Sequence, residues 1–287
     1  MASLRKATPE DFSFVLPLLT QFKNELDPAD YRRLFTDTLG EGYIGYLLED
    51  AGKPVGFLSY VFSRRPFGGK EHIFCNLSCW IVLEPYRHQS LSLLMPALRI
   101  KGATLTNFTP TPEVFAISKK LGFTTLAGKQ RILLPVPKPR LRLSRTKIFT
   151  STREAGARVD RDQARIIEDH SLPHHRHVVV ETPDGRCLLV LNRVKKRVRD
   201  HLKVPFLRVH HVSNFDVFSK TLPEIVTRCA LSFGAVAMLA EERYLRGCSV
   251  PVSFPRPKHA GMSAFKSDTL RAEDIDGLYS ELVLLNY

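Results

Sequence analysis

The stretch at residues 72–123 reads HIFCNLSCWIVLEPYRHQSLSLLMPALRIKGATLTNFTPTPEVFAISKKLGF. Its pattern predicts a strand, a polar turn, a helix, a second strand and a short helix that ends at Leu121-Gly122-Phe123. A turn that ends a strand and opens a helix points several backbone N–H groups in one direction, at the positive end of the helix dipole. The stretch therefore predicts a binding site for a pyrophosphate or another anion.

The strand is predicted from Glu71 to Leu83. Side chains on a strand alternate between its two faces. One face of this strand is then apolar, with Ile73, Cys75, Leu77, Cys79, Ile81 and Leu83. The opposite face is more polar and carries His72, Phe74, Asn76, Ser78, Trp80 and Val82.

The order of elements resembles the acetyl-CoA-binding core of the GNAT superfamily of acyltransferases. In that family the strand ends near a Pro, and an Arg/Gln-x-x-Gly-x-Gly/Ala turn follows. Here Glu84-Pro85-Tyr86 leads into Arg87-His88-Gln89-Ser90-Leu91-Ser92, with serine at both glycine positions. The resemblance implies that this turn, from Arg87 to Ser92, holds the CoA pyrophosphate, and we expect Ser90 to cap the helix. It also implies that the main chain of Ile81, Val82 and Leu83 contacts the pantetheine.

The second half of the motif is also similar to the family pattern. Residues 117–123 match a helix that reads roughly Leu-Tyr-x-Lys-Leu-Gly-Phe in the family. An Asn of the family falls on Thr111, which is then implied to contact the cofactor. The family Tyr, often the general acid for the departing thiolate, falls on Ser118. Either Ser118 relays a proton through water, or the thiolate leaves unaided, or the site is not catalytic. The resemblance covers residues 1 to about 134.

Acyl transfer from a thioester requires a deprotonated acceptor and a polarised carbonyl group. On the polar face of the strand, His72 is the best base by its ordinary pKa, and Glu71 is the second candidate. Asn76 or Ser78 is able to orient an acceptor. Each of these residues has a purely structural interpretation too, because a His at the start of a strand is commonly a surface residue. No nucleophile is well supported, which favours direct attack in a ternary complex.

The length of 287 residues predicts two domains. Alternating prolines begin at Pro135 and predict an extended linker over residues 135–150, between a first domain at 1–134 and a second at 151–287. The hairpin pattern at residues 46–58 recurs at 178–190, which suggests a second, degenerate copy of the first domain. In that copy, bulky side chains and an acid follow the strand 206–212, so a single CoA site is expected, in the first half.

Composition describes an ordinary globular protein, with 44% hydrophobic and 25% charged residues. No apolar run has the length of a membrane span, and the first residues lack a signal-peptide core, so we expect a cytoplasmic protein. The five cysteines are scattered in apolar contexts and are interpreted as reduced thiols. His174, His175 and His177 lack an acid or Cys at ligand spacing, and no metal is expected.

The net charge of +13 favours a further, negatively charged partner. Nine basic residues against three acids lie in 138–165, and six against one lie in 193–203. These basic stretches suit a polyanion such as tRNA or another nucleic acid. Alternatively, they are a solvated linker and a basic hairpin that helps to attract the CoA phosphates.

Together these patterns predict an α/β protein of two tandem GNAT-like domains, each a mixed, mostly antiparallel sheet flanked by helices. The expected function is transfer of an acetyl or longer acyl group from CoA to an amine, or less favourably to a hydroxyl group. The alternatives are a tandem-GNAT aminoacyl-tRNA-dependent transferase and a non-catalytic acyl-CoA sensor or scaffold.

Overall fold

The computed structural model describes residues 2–22, 26–136, 145–199, 202–250, 252–256 and 262–286. Within these ranges the chain forms fourteen β-strands and seven α-helices. The strands are β1 Ser3–Ala7, β2 Gly45–Asp50, β3 Lys53–Phe67, β4 Lys70–Val82, β5 Thr104–Asn107, β6 Thr124–Ala127, β7 Gln130–Leu133, β8 Lys147–Phe149, β9 His175–Thr182, β10 Gly185–Arg199, β11 Leu202–Val212, β12 Ala237–Glu241, β13 Ser253–Pro255 and β14 Met262–Lys266. The helices are α1 Phe12–Leu19, α2 Ser90–Leu98, α3 Pro112–Lys120, α4 Thr152–Gly156, α5 Arg161–Asp169, α6 Phe215–Phe233 and α7 Glu281–Leu284.

The strands form two seven-stranded sheets. The first has the order β1-β2-β3-β4-β5-β14-β6, and the second has the order β13-β7-β12-β11-β10-β9-β8. Each sheet contains one parallel pair, β4 with β5 and β11 with β12, and its other pairs are antiparallel. The predicted fold class, two mostly antiparallel sheets flanked by helices, is confirmed.

The two sheets exchange a strand. β7 pairs with β12 and β13 of the second sheet, although it precedes the predicted linker. β14, which lies near the end of the chain, pairs with β5 and β6 of the first sheet. The strands are therefore not divided between the sheets at the predicted boundary, and each sheet needs both parts of the chain. The linker predicted at 135–150 lies in part, at residues 137–144, outside the described residues.

Strand β4 departs from the predicted alternation of its side chains. Leu58 of β3 faces two residues of β4, Cys79 and Trp80, and Cys79 has a φ of +53°. This is a β-bulge, which inserts one residue into a strand and reverses its faces from that point. Trp80 and Val82 consequently lie on the same face of the sheet as Cys75 and Leu77, whereas strict alternation would place them on the opposite face. The prediction of one continuous polar face was wrong beyond Ser78.

Helices cover both faces of the first sheet. On one face α2 buries Leu93, Leu94 and Ala97 against the strands. On the other face, α1 and a 3₁₀ helix at Pro28–Leu34 enclose a second apolar cluster. The C-terminal helix α7 contacts that 3₁₀ helix. The centre of the first sheet is therefore buried from both sides.

The second sheet is covered by α6. This helix begins after Asn214, whose side chain caps it by accepting hydrogen bonds from the backbone of Asp216 and Val217. It ends at Gly234, whose φ of +59° suits glycine. Of the helices in the described ranges, none is long and apolar enough to cross a membrane.

Candidate functional site

A cleft opens in the first sheet where β4 and β5 separate. The two parallel strands pair at three positions, ending with Asn76 opposite Thr106. Beyond these positions the strands diverge and leave a cavity of about 260 Å³. Its lining residues are Phe22, Leu77, Ser78, Cys79, Trp80, Asn107, Thr109, Pro110, Thr111 and Val114. The cavity therefore exposes the edge of β4 that no longer pairs with β5.

The bulge in β4 lies in the wall of this cleft. It turns Trp80 toward the side of the sheet that α2 and α3 cover. The indole Nε1 of Trp80 is buried and has no hydrogen-bond partner. A buried, unsatisfied donor is unfavourable in a native structure, so a ligand carbonyl in the cleft that reached it would be stabilised.

Cys79 also lines the cleft, but its environment disfavours an acyl-carrying nucleophile. Burial raises the pKa of its thiol to about 12, and the nearby Glu281 acts in the same direction. The thiolate is the reactive form of cysteine, and at neutral pH it is scarcely populated here.

A buried carboxylate lies one hydrogen bond behind the cleft. Glu281, the first residue of α7, is 1% exposed. Its Oε2 accepts a hydrogen bond from Asn76 Nδ2 at 2.6 Å, and its Oε1 accepts one from Thr109 Oγ1 at 2.6 Å. Asn76 is oriented in turn by Thr106, whose hydroxyl donates to Asn76 Oδ1. Burial raises the pKa of Glu281 above its ordinary value, although these two donors oppose the shift.

Thr109 connects this carboxylate to the cleft. Thr109 is exposed and lines the cavity, and its hydroxyl donates a hydrogen bond to the buried Glu281. The hydroxyl oxygen is still able to accept a proton from a group in the cleft while its own proton points to Glu281. The sequence gives no sign of this pair, because residues 109 and 281 are far apart in the chain and no local motif connects them.

The predicted anion-binding turn follows the cleft as a 3₁₀ helix at Glu84–Gln89, which continues directly into α2. One tyrosine holds this turn in place, and another holds the helix α2 that follows it. Tyr86 donates to Asp50 of β2, and the buried Tyr60 hydroxyl donates to Leu93 O and accepts from Ala97 N. The Tyr60 hydroxyl thus lies between Leu93 O and Ala97 N, the acceptor and the donor of one turn of α2.

The capping role expected of Ser90 was wrong. Gln89 occupies the N-cap position with helical dihedral angles and no side-chain bond, because the chain enters α2 from a helix rather than from an extended segment. The backbone N–H of Ser90 already bonds Arg87 O. Ser92 Oγ donates to Gln89 O at 2.7 Å.

The other residues expected to bind the cofactor lie around the cleft and the turn. Ile81 and Val82 pair with β3 on one side, and the Leu83 N–H bonds Val55 O. Within the turn, Arg87 and His88 are exposed and Leu91 is 45% exposed. Gln89 Nε2 lies 3.1 Å from His88 Nε2.

Thr111 lines the cleft and caps α3, where its side chain accepts from Val114 N. The motif comparison placed the family Asn on Thr111, yet β5 ends at Asn107, and this Asn is 6% exposed and lines the cleft. Asn107 is thus a second candidate that the motif comparison missed.

The structure separates the predicted catalytic residues. Asn76 belongs to the Glu281 network beside the cleft. His72 and Glu71 lie at the opposite end of β4, about 20 Å along the strand from Ser78 at about 3.3 Å per residue. His72 contacts the Phe67 ring there, and Glu71 pairs with Arg64. The structure does not bring these two residues to the cleft, and their catalytic roles stay predictions.

Ser118 is 2% exposed, and its hydroxyl donates to Val114 O within α3 at 2.8 Å. It does not line the cavity. Its hydroxyl proton is thus engaged inside the helix, which disfavours the relay that was one of the three options for this position.

Two further predictions concern partners. In the described ranges, no group of three or more His, Cys, Asp or Glu side chains is arranged to hold a metal ion. The described residues of the basic stretch at 193–203 belong to β10 and β11 of the second sheet, and none of them lines the cleft. A polyanion partner for the basic stretches stays a prediction.

Comparisons with known proteins address the fold. No protein-family model matches the chain, and no curated protein sequence matches it either. Among solved structures, a GCN5-related N-acetyltransferase from Anabaena variabilis superposes with a TM-score of 0.59 at 12% identity, covering 93% of this chain and 73% of that chain. A GCN5-related N-acetyltransferase from Kribbella flavida has a TM-score of 0.58 at 14% identity, covering 93% and 71%.

N-myristoyltransferase of Saccharomyces cerevisiae, solved with myristoyl-CoA, is also similar, with a TM-score of 0.52 at 10% identity and coverage of 92% and 78%. At these identities the similarity defines the fold. The chain shares the fold of these acetyltransferases and of N-myristoyltransferase over nearly its whole length.

Proposed function

We propose that this chain is a CoA-dependent acyltransferase that moves an acyl group from acyl-CoA to an amine by direct attack in the β4/β5 cleft. The observation that carries the proposal is the separation of β4 from β5 after Asn76, with a bulge at Cys79 in the wall. This gap presents an unpaired strand edge to which an extended ligand can add.

The residues present fit an acyl-CoA. The edge of β4 from Ser78 onward is available to the amides of a pantetheine, and the unpartnered Trp80 Nε1 supplies a further donor. The exposed Arg87 lies beside the start of α2, where the helix dipole also favours an anion. Bound acyl-CoA supplies the thioester carbonyl that the acceptor attacks.

The proton of the amine would leave through Thr109 and Glu281. Thr109 accepts it at Oγ1 and passes its own hydroxyl proton to Glu281 Oε1 along the 2.6 Å hydrogen bond. A carboxylate whose pKa burial has raised is a stronger base than an exposed one, which suits this role. Asn76 holds the other carboxylate oxygen in place.

Acyl-CoA binding is tested most directly with a charge reversal. Acetyl-CoA and longer acyl-CoAs should raise the melting temperature of the wild type by several degrees, because a ligand at about 100 times its Kd adds about 2.7 kcal/mol to the stability. Arg87→Glu should abolish most of this shift. Arg153→Glu makes the same charge change on the exposed side of α4 and should retain it. An undiminished shift in Arg87→Glu would place the phosphates elsewhere.

A second candidate function, non-catalytic acyl-CoA binding, is favoured by the hydroxyl of Ser118, which is bonded inside α3. If the chain is an enzyme, Ser118→Ala should change the rate of CoA thiol release to an amine pool by only a few-fold, as expected when no proton passes through that hydroxyl. A thiol assay with saturating acyl-CoA measures this. Tight acyl-CoA binding without thiol release for any amine would favour a non-catalytic acyl-CoA sensor. A large loss of rate in Ser118→Ala would instead indicate that a proton passes through the Ser118 hydroxyl.

A further inference from the structure

The second sheet contains a gap that corresponds to the cleft of the first. β11 and β12 run parallel and pair at three positions, ending with Arg208 opposite Leu239. β4 and β5 pair in the same way, ending with Asn76 opposite Thr106. His210 thus follows the last paired residue of its strand by two positions, as Ser78 does in β4.

The chain itself fills this second gap. The backbone N–H of Gly277 donates to His210 O at 2.9 Å, and the Tyr244 hydroxyl donates to the same oxygen at 3.0 Å. The fit is close, since a Cβ at Gly277 would lie 2.9 Å from His210 Nδ1. The His210 carbonyl is therefore already paired within the chain. A pantetheine in a second cleft would have to displace the C-terminal segment to reach it.

Asp276 fixes this segment to both sheets. Its carboxylate bonds Arg65 of β3 at 2.5 Å and accepts from His211 Nδ1 of β11 at 2.7 Å. Although burial opposes it, the charge of Arg65 and the bond from His211 hold the pKa of Asp276 below its ordinary value. The ionised carboxylate is thus a junction between the two halves.

The same segment leads directly to Glu281. The Ser280 hydroxyl, fully buried, donates to Gly277 O at 2.6 Å. Tyr279 takes a φ of +54°, a strained value for an aromatic residue, and redirects the chain into α7. Only three residues separate Gly277, which bonds β11 of the second sheet, from Glu281 beside the first cleft.

We infer that the segment 275–281 has two connected roles: it occupies the second gap, so that each chain binds acyl-CoA at a single site, and it positions the Glu281 carboxylate at the first cleft. The second half of the molecule is then a support for the reaction in the first half. This inference rests on the proposed function, and Asp276, Gly277 and Ser280 are positioning residues rather than catalytic ones.

Gly277→Ala tests the inference, because the added methyl group must displace the segment from the buried His210. We expect kcat to fall about 10–100-fold, as for a reacting group displaced by about 1 Å. The KM for acyl-CoA should stay unchanged, and the apparent pKa in the pH profile of kcat should move. Gly156→Ala is the matched control, since a Cβ there meets no atom within 4 Å.

Two further variants keep the test decisive. Gly277→Ala with His210→Ala, which removes the opposing ring, should recover part of the lost kcat. Ser280→Ala loosens the connection without a steric clash and should lower kcat in the same direction if Gly277→Ala does not fold. Titration calorimetry of the wild type with acyl-CoA should give a single site per chain.

The outcomes distinguish the inference from the proposed function. Absence of acyl-CoA binding to the wild type would overturn the proposed function itself. If the wild type binds and turns over but both Gly277→Ala and Ser280→Ala keep its kcat and pH profile, the positioning role is wrong. Two bound acyl-CoA molecules per chain would show that the segment does not close the second gap.

Discussion

Replacing Glu281 with Gln is expected to lower kcat by about 10²–10⁴-fold, the usual contribution of a general base. Gln has nearly the same shape, and its side-chain oxygen can still accept from Asn76, so the fold and the affinity for acyl-CoA should be retained. The loss should appear in kcat and in the pH dependence. In the wild type the rate should rise with pH as Glu281 loses its proton, and in Glu281→Gln this rise should disappear.

The comparison with His72 separates the two candidate bases. Steady-state rates of thiol release are measured for Glu281→Gln, His72→Ala and Glu168→Gln, a control on the exposed side of α5. A large loss in His72→Ala together with a nearly normal Glu281→Gln would establish His72 as the base and make the Glu281 network structural. Thr109→Val should lower kcat as Glu281→Gln does, because it breaks the hydrogen bond that connects the cleft to the Glu281 carboxylate.

Acidification from pH 7.5 to 5 should remove much of the stability of this protein. Burial lowers the pKa of His170 to about 3 and the pKa values of His175 and His177 to about 4. In the unfolded chain these histidines have an ordinary pKa of about 6.5. As the pH falls below that value, the unfolded chain therefore binds protons that the folded chain does not, and unfolding becomes more favourable. Each residue then costs about 2 kcal/mol at pH 5, and the three together about 6 kcal/mol, a large part of a typical stability of about 5–15 kcal/mol.

Urea unfolding followed at several pH values measures this effect. His177→Leu should weaken the dependence of the free energy of unfolding on pH, since His177 is 2% exposed and its Nε2 is without a hydrogen-bond partner. His88→Gln, a change at an exposed histidine, should leave it as in the wild type. Equal stability of the wild type at pH 7.5 and pH 5 would contradict the prediction.

The sequence was most informative where structure is local. The strand, turn, helix, strand and helix predicted at residues 72–123 are present in that order, as are the hairpins predicted at 46–58 and 178–190. Local periodicity and turn residues report which segments become strands and helices, and these features do not depend on distant parts of the chain.

The faces of β4 show where such reasoning ends. Alternation gave the correct sides up to Ser78, but the bulge at Cys79 reversed Trp80 and Val82. A bulge depends on the pairing of two strands, and nothing in the order of side chains around Cys79 marks it. The cleft wall was for this reason only partly predictable.

The sequence alone determined the order of elements at residues 72–123, the α/β class with two mostly antiparallel sheets and the place of the turn before α2, because these follow from short-range patterns of apolar and turn-forming residues. Only the tertiary structure decided that β7 and β14 exchange sheets, that Gly277 closes the gap beside His210, and that Glu281 reaches Asn76 and Thr109. These contacts join residues more than 60 positions apart. They arise because buried strand edges and polar side chains must be paired within the folded chain, whichever segments supply the partners.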